Sequence, residues 1–391
     1  MLELPDAACV YAPTPAAGAA ARPQTLKIQF TGSGSEYFRI WIVNLLLTLV
    51  TLGLYLPFAK VRRLRYFYVN TRVGGQALSF HGRPWPMFRG FVLLLLLGGA
   101  YGLAGHFSPV AGVLAYLLLC ALWPALWRAG LQFRLGNTRW RGLRLSFQGD
   151  LAGAYKAVAP LYVPAMMLMT GSAWQAWNDP MDQTGPGAMV GMVGLLGMVL
   201  LSPYFMARIK RYQHEGYGYA DQRGQFQVGT GKFYGLVLKG LLLSLLPLAI
   251  AIGIAIGLVM LLKPSGAVNP AIGLGIALLA YLLYFMMIGP YFSARMQNLV
   301  WSGTRSERLE FHSRLSFRSL LWLTLVNWLL TALTLSLYRP FAAIRTARLR
   351  LEAVSLEVHG DIEAWRAQAQ EAHNDASGEA AGDFFGFDMG W

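Results

Sequence analysis

The chain has 391 residues, of which 55% are hydrophobic and only 13% are charged, and its mean hydropathy is +0.42. A soluble domain carries about 25% charged residues, so this composition argues against a globule in water and indicates a surface that largely faces lipid. The net charge of +14 sits mostly in loops beside apolar runs, which favours the positive-inside rule of membrane proteins over a nucleic-acid partner.

Residues 1–25 form an Ala/Pro-rich tail that we expect to be disordered. Glu3 and Asp6 come early and no basic start precedes an apolar run, so this segment is not expected to be a signal peptide. The two cysteines, Cys9 and Cys120, show neither metal-ligand spacing nor a disulfide framework. Because residues 1–25 are expected to be disordered, we expect the ordered part of the chain to begin near residue 26.

A strand-like pattern, roughly hydrophobic-x-aromatic-x-Gly, recurs six times along the chain and is here named the strand motif. Alternation over four residues, usually ending in glycine, is typical of a short, half-buried strand before a turn. The copies lie at residues 28–32, 78–82, 145–149, 225–229, 309–313 and 356–360. Six copies with similar flanks predict one structural unit that is copied and stacked.

Paired apolar runs separate the central copies. Each run approaches the roughly 20 residues with which a helix crosses the bilayer core. The pairs are 88–105 with 109–127, 157–174 with 188–207, and 235–262 with 271–292. They predict six spanning helices, and the Arg- and Lys-rich loops between the pairs predict that the strand motifs lie in the cytoplasm.

The outer segments 39–58 and 319–339 allow two interpretations. Single passes would put both termini outside and separate the first and last strands from the other four. Shallow hairpins or half-inserted helices would keep all six strands on the cytoplasmic side. Gly53 permits a break in the first segment, and the arginines at 345, 348 and 350 favour the inside, so hairpins are the preferred interpretation.

The apolar runs end in a return motif: a proline, an aromatic residue, and then arginines. Arginines spaced by three or four residues share one face of a helix, so each run is predicted to continue into a basic amphipathic helix near the lipid phosphates. The copies begin at Pro57, Pro203, Pro290 and Pro340, with a degenerate copy at Pro124.

Basic residues at recurrent positions are the candidate contacts to anionic lipid headgroups. One set lies nine residues after the aromatic residue of the strand motif, and the other lies in the return motifs. The candidates are Arg39, Arg62, Arg65, Arg89, Lys156, Arg208, Arg295 and Arg345. The alternative is that these cations extend to the interface by ordinary snorkelling.

Asn44 and Asn327 are candidate polar residues inside the membrane. They occupy equivalent positions, 283 residues apart, and each shares a helix face with threonines. Such residues most often form hydrogen bonds between helices, and the sharper alternative is a path for a substrate.

No enzyme signature, cofactor motif or metal-ligand spacing is found. His81, His312 and His359 take equivalent places in three strand motifs, but no cysteine or carboxylate cluster accompanies them at metal spacing. Carboxylates are also scarce in the apolar runs, where a proton-coupled transporter would need one. We therefore expect no catalytic activity, no cofactor and no metal.

The last segment, 362–391, is acidic and rich in Gly and Ala, and is expected to be disordered. It ends in aromatic residues, Phe384, Phe385, Phe387 and Trp391, which are suited to docking an unknown protein partner.

The region 32–82 contains four characteristic stretches, Tyr37-Phe38-Arg39-Ile40-Trp41, Thr51-Leu52-Gly53-Leu54-Tyr55, Lys60-Val61-Arg62-Arg63 and Tyr66-Phe67, and similar stretches occur at 291–301 and 338–348. In these stretches the chain resembles the YjgN-like family of bacterial inner-membrane proteins. The resemblance covers about residues 26–360. It implies a multi-pass inner-membrane protein of unknown function and supplies no catalytic residues.

These observations predict a mainly α, multi-pass helical membrane protein built from pseudo-repeats over 26–361. Short strands and basic amphipathic helices are expected to form a cytoplasmic layer. The expected function is binding or transport of a lipid-like or amphipathic molecule, with membrane lipids as partners. The alternative is a non-transporting scaffold or adaptor that recruits a cytoplasmic partner.

Overall fold

A computed structural model describes residues 23–178, 184–262, 270–360, 365 and 367. Residues 1–22 and nearly all of the C-terminal tail lie outside the described residues, so their expected disorder stays a prediction. The helices of the described part are α1 (Gly34–Val50), α2 (Leu56–Val69), α3 (Pro84–Phe107), α4 (Pro109–Gly136), α5 (Leu151–Asn178), α6 (Pro186–Glu215), α7 (Thr230–Leu262), α8 (Pro270–Trp301), α9 (Phe317–Leu333) and α10 (Arg339–Glu352).

Every copy of the strand motif contributes to a strand, as its alternating pattern predicts. The strands are β1 (Gln24–Phe30), β2 (Thr71–Val73), β3 (Gln76–Ala77), β4 (Ser79–Phe80), β5 (Thr138–Trp140), β6 (Leu143–Phe147), β7 (Tyr217–Tyr219), β8 (Gln222–Arg223), β9 (Gln225–Phe226), β10 (Thr304–Arg305), β11 (Leu309–Ser313) and β12 (Val354–Val358).

The helices pair into five hairpins, each composed of an odd-numbered helix and the next even-numbered one. The six helices of the three central hairpins, α3 to α8, contain apolar spans of 21 to 30 residues, long enough to cross a bilayer. This confirms the predicted multi-pass helical architecture. At most 22% of any hydrophobic window in these spans is buried within the protein, as expected for helices that face lipid.

The two outer segments have the hairpin form. Between α1 and α2 the chain reverses at Leu52 (φ 49°) and Gly53 (φ 93°), and between α9 and α10 it reverses at Leu335 (φ 49°) and Ser336 (φ 74°). A helix of 17 residues such as α1 is about 26 Å long, shorter than the hydrocarbon core. Both ends of each outer hairpin therefore return to the layer of strands.

The strands form one closed ring, here named the strand ring. Seven lie in the order β3-β2-β1-β12-β11-β10-β9 and five in the order β4-β5-β6-β7-β8. The segments 76–80 and 222–226 join these two groups, because each pairs with one neighbour in its first half and with another in its second half. At the two junctions, the Leu78 N–H donates to Thr71 O (2.9 Å) and the Gly224 N–H donates to Tyr217 O (2.7 Å).

The helices close into a ring in the same order. The neighbouring hairpins contact each other through α2 and α3, α4 and α5, α6 and α7, and α8 and α9, and α10 returns to pack against α1. The six strand motifs thus bound five similar units, each composed of a helical hairpin and strands, arranged around one axis. The repeated units of the sequence are therefore arranged as a ring in the structure.

A recurrent hydrogen bond supports four of the five joints between neighbouring units. A side chain from an even-numbered helix donates to a backbone carbonyl at the end of a strand motif or just after it. These contacts are Arg128 Nε to Gly149 O (2.7 Å), Arg211 Nη2 to Val228 O (3.3 Å), Asn298 Nδ2 to Leu315 O (2.9 Å) and Arg348 Nη2 to Gly32 O (3.0 Å). The last one joins the end of the repeat region to its beginning.

Candidate functional site in the lumen of the strand ring

The strand ring points one set of side chains toward its axis, because successive residues of a strand face opposite sides. Apolar residues from strands that are far apart in sequence meet there in a single cluster. Its members include Leu26, Ile28, Val73, Leu78, Trp140, Leu145, Tyr219, Leu309, Phe311, Leu356 and Val358. The space that these side chains surround is here named the lumen.

The lumen contains a cavity of about 640 Å³ on the side of the helices. Inward side chains of the strands form its wall, and the ends of α2, α4, α8 and α10 form its rim. The rim residues include Phe67, Leu135, Trp301 and Leu351. This volume lies within the range of about 300–1,000 Å³ that is typical of small-molecule pockets.

Trp365 covers the end of the lumen that is remote from the helices. Its side chain is 4% exposed and packs in the same cluster as the strand residues. Its Nε1–H donates to Asp221 Oδ1 at 2.7 Å, and its ring lies 5.4 Å from that of Tyr219 and under the guanidinium of Arg308. The cavity is therefore a pocket that is closed at this end.

The polar groups in the lumen wall are largely paired with each other. The Gln297 amide donates to Arg350 O (2.8 Å) and accepts from Arg350 Nε (2.9 Å). Thr304 Oγ1 lies 2.8 Å from His214 Nδ1. The Trp140 Nε1–H donates to Val73 O (3.3 Å). Because these polar groups bond to each other, the wall presents mainly apolar surface to a ligand.

Tyr217 shows how poorly hydrated this region is. Its side chain lines the cavity next to Trp301 and the ring of His214. Burial raises the pKa of the Tyr217 hydroxyl, although the positive charge of Arg134 opposes that shift. The phenol therefore stays neutral at physiological pH.

None of the eight basic residues predicted to contact lipid headgroups lines this cavity. The structure brings two pairs of predicted residues together. Arg62 Nη1 donates to Asn44 Oδ1 (3.4 Å), and Arg208 Nη2 donates to the backbone oxygen of Lys156 (2.7 Å). Arg345 Nη1 instead donates to the hydroxyl of Tyr338 at 2.8 Å.

The other predicted basic residues, Arg39, Arg65, Arg89 and Arg295, are exposed and make no hydrogen bond or ion pair within the described ranges. Their contact with lipid headgroups stays a prediction. Asn327 is buried, and its Nδ2 lies 3.3 Å from Thr346 Oγ1 and 3.5 Å from Ala342 O.

Sequence reasoning missed Arg134, Arg350 and Trp365. Arg134 and Arg350 each lie ten residues after the proline of a return motif, and both line the cavity. The equivalent residue of the first unit is Phe67, which also lines the cavity but carries no charge. The shared distance from the proline is the signal that could have found these residues.

Among the described residues, the three histidines of the strand motifs belong to no cluster of metal-ligand side chains. Over the described residues, no group of three or more His, Cys, Asp or Glu side chains is placed to hold a metal ion. His312 instead lies 3.1 Å from Glu357 and 3.9 Å from Glu310 on the face of the sheet.

Six apolar spans above a closed ring of strands define a multi-pass helical membrane protein. The chain belongs to the family described as bacterial protein of unknown function (DUF898), whose model matches residues 25–384.

Inner membrane protein YjgN of Salmonella typhimurium strain LT2 is 26% identical over 85% of this chain and 88% of its own length. The YjgN proteins of Escherichia coli O157:H7 and K12 are each 32% identical over 35% of this chain and 34% of their own length. No solved structure matches. With its six apolar spans, the chain is a multi-pass protein of the bacterial inner membrane.

Proposed function

We propose that the protein is a non-enzymatic binding protein that holds a lipid-like or amphipathic molecule, with the apolar part of that molecule in the lumen. The observation that carries this proposal is the apolar cavity of about 640 Å³ inside the closed strand ring. Gln297, Thr304 and Trp140 in its wall have hydrogen-bond partners within the protein, so an apolar occupant leaves these groups paired.

Two features favour binding over movement through the ring. The cavity lies on the side of the helices, which is the side from which a membrane component would enter. Trp365 closes the opposite end and is held by Asp221 and Arg308. A pocket with one closed end suits retention or presentation of a ligand.

Affinity should rise with the length of the alkyl chain. Each methylene transferred from water into an apolar site contributes about 0.8 kcal/mol, or about a fourfold change in Kd. Octyl, decyl and dodecyl maltoside differ by two methylenes, so each step should add about 1.6 kcal/mol, or about a fifteenfold change in Kd. Titration calorimetry on the full chain in an amphipathic polymer measures these steps. Leu145→Trp fills the lumen and should remove most of the binding.

Arg144→Trp is the matched control. Arg144 is the preceding residue of the same strand and is exposed on the outer face of the ring, opposite Arg139. The Arg144→Trp substitution adds the same indole ring outside the lumen. Equal binding by wild type and the Leu145→Trp variant, or no dependence on chain length, would contradict the proposal.

An adaptor is the second candidate function. Its support is the position of Trp365, which anchors the start of the acidic C-terminal segment at the end of the ring away from the helices. In the cytoplasmic orientation predicted from the basic loops, that segment would face the cytoplasm. The two candidates differ in what the purified protein carries: a small amphiphile in one case and another protein in the other.

A further inference from the structure

Two cations lie where the helices meet the lumen, and a third lies close to one of them. Arg134 at the end of α4 and Arg350 at the end of α10 both line the cavity and are accessible from it. Lys210, on α6, is half-buried and lies within electrostatic range of Arg134. Its Nζ donates to Gln213 Oε1 at 3.1 Å.

These cations have no carboxylate partner. In the described part of the chain, none of the three forms an ion pair, whereas the neighbouring Arg211 lies 3.9 Å from Glu215. Arg134 and Lys210 repel each other, and cations beside an apolar cavity lose hydration, which costs free energy unless an anion is present. Desolvation lowers the pKa of the Arg350 guanidinium, consistent with such an environment.

Gln297 holds one of the three cations in a fixed orientation. Gln297 is buried, and its Oε1 accepts from Arg350 Nε while its Nε2 donates to the backbone oxygen of Arg350. This arrangement uses Nε and leaves the two terminal amino groups of the guanidinium without a hydrogen-bond partner among the described residues. A guanidinium can offer such donors to the oxygens of a phosphate or carboxylate.

We propose that Arg134, Lys210 and Arg350 form an anion site at the rim of the lumen, which selects amphiphiles that carry an anionic, phosphate-type headgroup. This inference rests on the proposed function, because the lumen takes the alkyl part and the three cations take the headgroup. Arg134 and Arg350 line the same cavity as the apolar wall, and Lys210 lies within electrostatic range of Arg134, an arrangement that suits a phosphate ester of a long-chain alcohol. The ligand class is therefore an anionic amphiphile.

The test compares dodecyl phosphate, dodecyl maltoside and inorganic phosphate on the full chain in an amphipathic polymer, by titration calorimetry. Wild type should bind dodecyl phosphate at least about tenfold more tightly than dodecyl maltoside. The double variant Arg134→Gln/Arg350→Gln should lose this preference and keep its affinity for the maltoside, which also reports that the lumen is folded. Arg134→Lys/Arg350→Lys should keep part of the preference.

Arg144→Gln is the control, because it removes an exposed arginine of the outer face of the ring. It should leave the preference for dodecyl phosphate unchanged. An unchanged preference in the double variant would overturn the anion site. Binding of inorganic phosphate as tightly as dodecyl phosphate would show that the alkyl chain adds nothing and would overturn the selection of amphiphiles. If neither amphiphile binds wild type, the proposed function itself fails, which is a distinct outcome.

Discussion

At the scale of single residues, Asn44 and Asn327 show that equivalent positions of a repeat need not make equivalent bonds. Asn44 Oδ1 accepts from Arg62, whereas the equivalent Arg345 turns to the Tyr338 hydroxyl. Asn327 Oδ1 is left buried with no hydrogen-bond partner in the described structure. A buried acceptor without a partner costs about 1–3 kcal/mol.

This asymmetry predicts opposite effects of one substitution at two sites. Asn327→Leu removes the unpaired oxygen and two long hydrogen bonds, so we expect the protein to be stabilised by about 1 kcal/mol. Asn44→Leu removes the acceptor of Arg62 and should lower stability slightly. Thermal unfolding of the two purified variants should therefore place Asn327→Leu above wild type and Asn44→Leu below it. The reverse order would refute the assignment of Asn327 Oδ1 as an unsatisfied group.

At the scale of elements, the contact between the first and last units differs from the other joints because no short connection supports it. The ring is closed there by the pairing of β1 with β12, the packing of α1 on α10, and the bond from Arg348 to Gly32 O. The other joints are also linked by the continuous chain. Loss of one contact should therefore increase local opening more at this joint than at the others.

We expect Arg348→Gln to increase local opening of β1. A hydrogen bond from a charged donor contributes about 1.5–3 kcal/mol, so amide hydrogen exchange in residues 24–30 should quicken by about tenfold or more. Arg128→Gln removes the corresponding bond to Gly149 at a joint with chain continuity. It is the matched control, and β1 should exchange in it as in wild type. Equal exchange of β1 in all three proteins would show that the bond does not hold the closure.

Local sequence patterns predict the individual helices and strands, but they do not predict that the strands close into a ring. The strand motifs and the apolar runs depend on residues close in sequence, so both were predicted from the chain. The pairing of Gln24 with Val358 depends on contacts across the whole chain and has no local signal. Arg134 and Arg350 escaped detection because other units carry uncharged residues at that position. Trp365 escaped because it lies in the segment 362–391, which the composition predicts to be disordered.

At the scale of the whole molecule, the repeat determines where a ligand site forms. Five units around one axis bring their strands together, so the lumen is composed of small contributions from many distant segments. A single unit has no such cavity. Arg134 and Arg350 at the rim break the symmetry of the repeat, and in the proposed anion site they would supply the chemical specificity that the apolar wall lacks. The cytoplasmic position of this layer stays a prediction from the basic loops.

The central claim is that the lumen holds an amphiphile, and native mass spectrometry of the full chain, gently released from its own membrane, tests it most directly. Wild type and the Arg144→Trp control should each carry one small amphiphile per chain, with an anionic headgroup, and Leu145→Trp should carry none. A bare wild-type protein, the same adduct on the Leu145→Trp variant, or a bound protein in place of a small molecule would contradict the account.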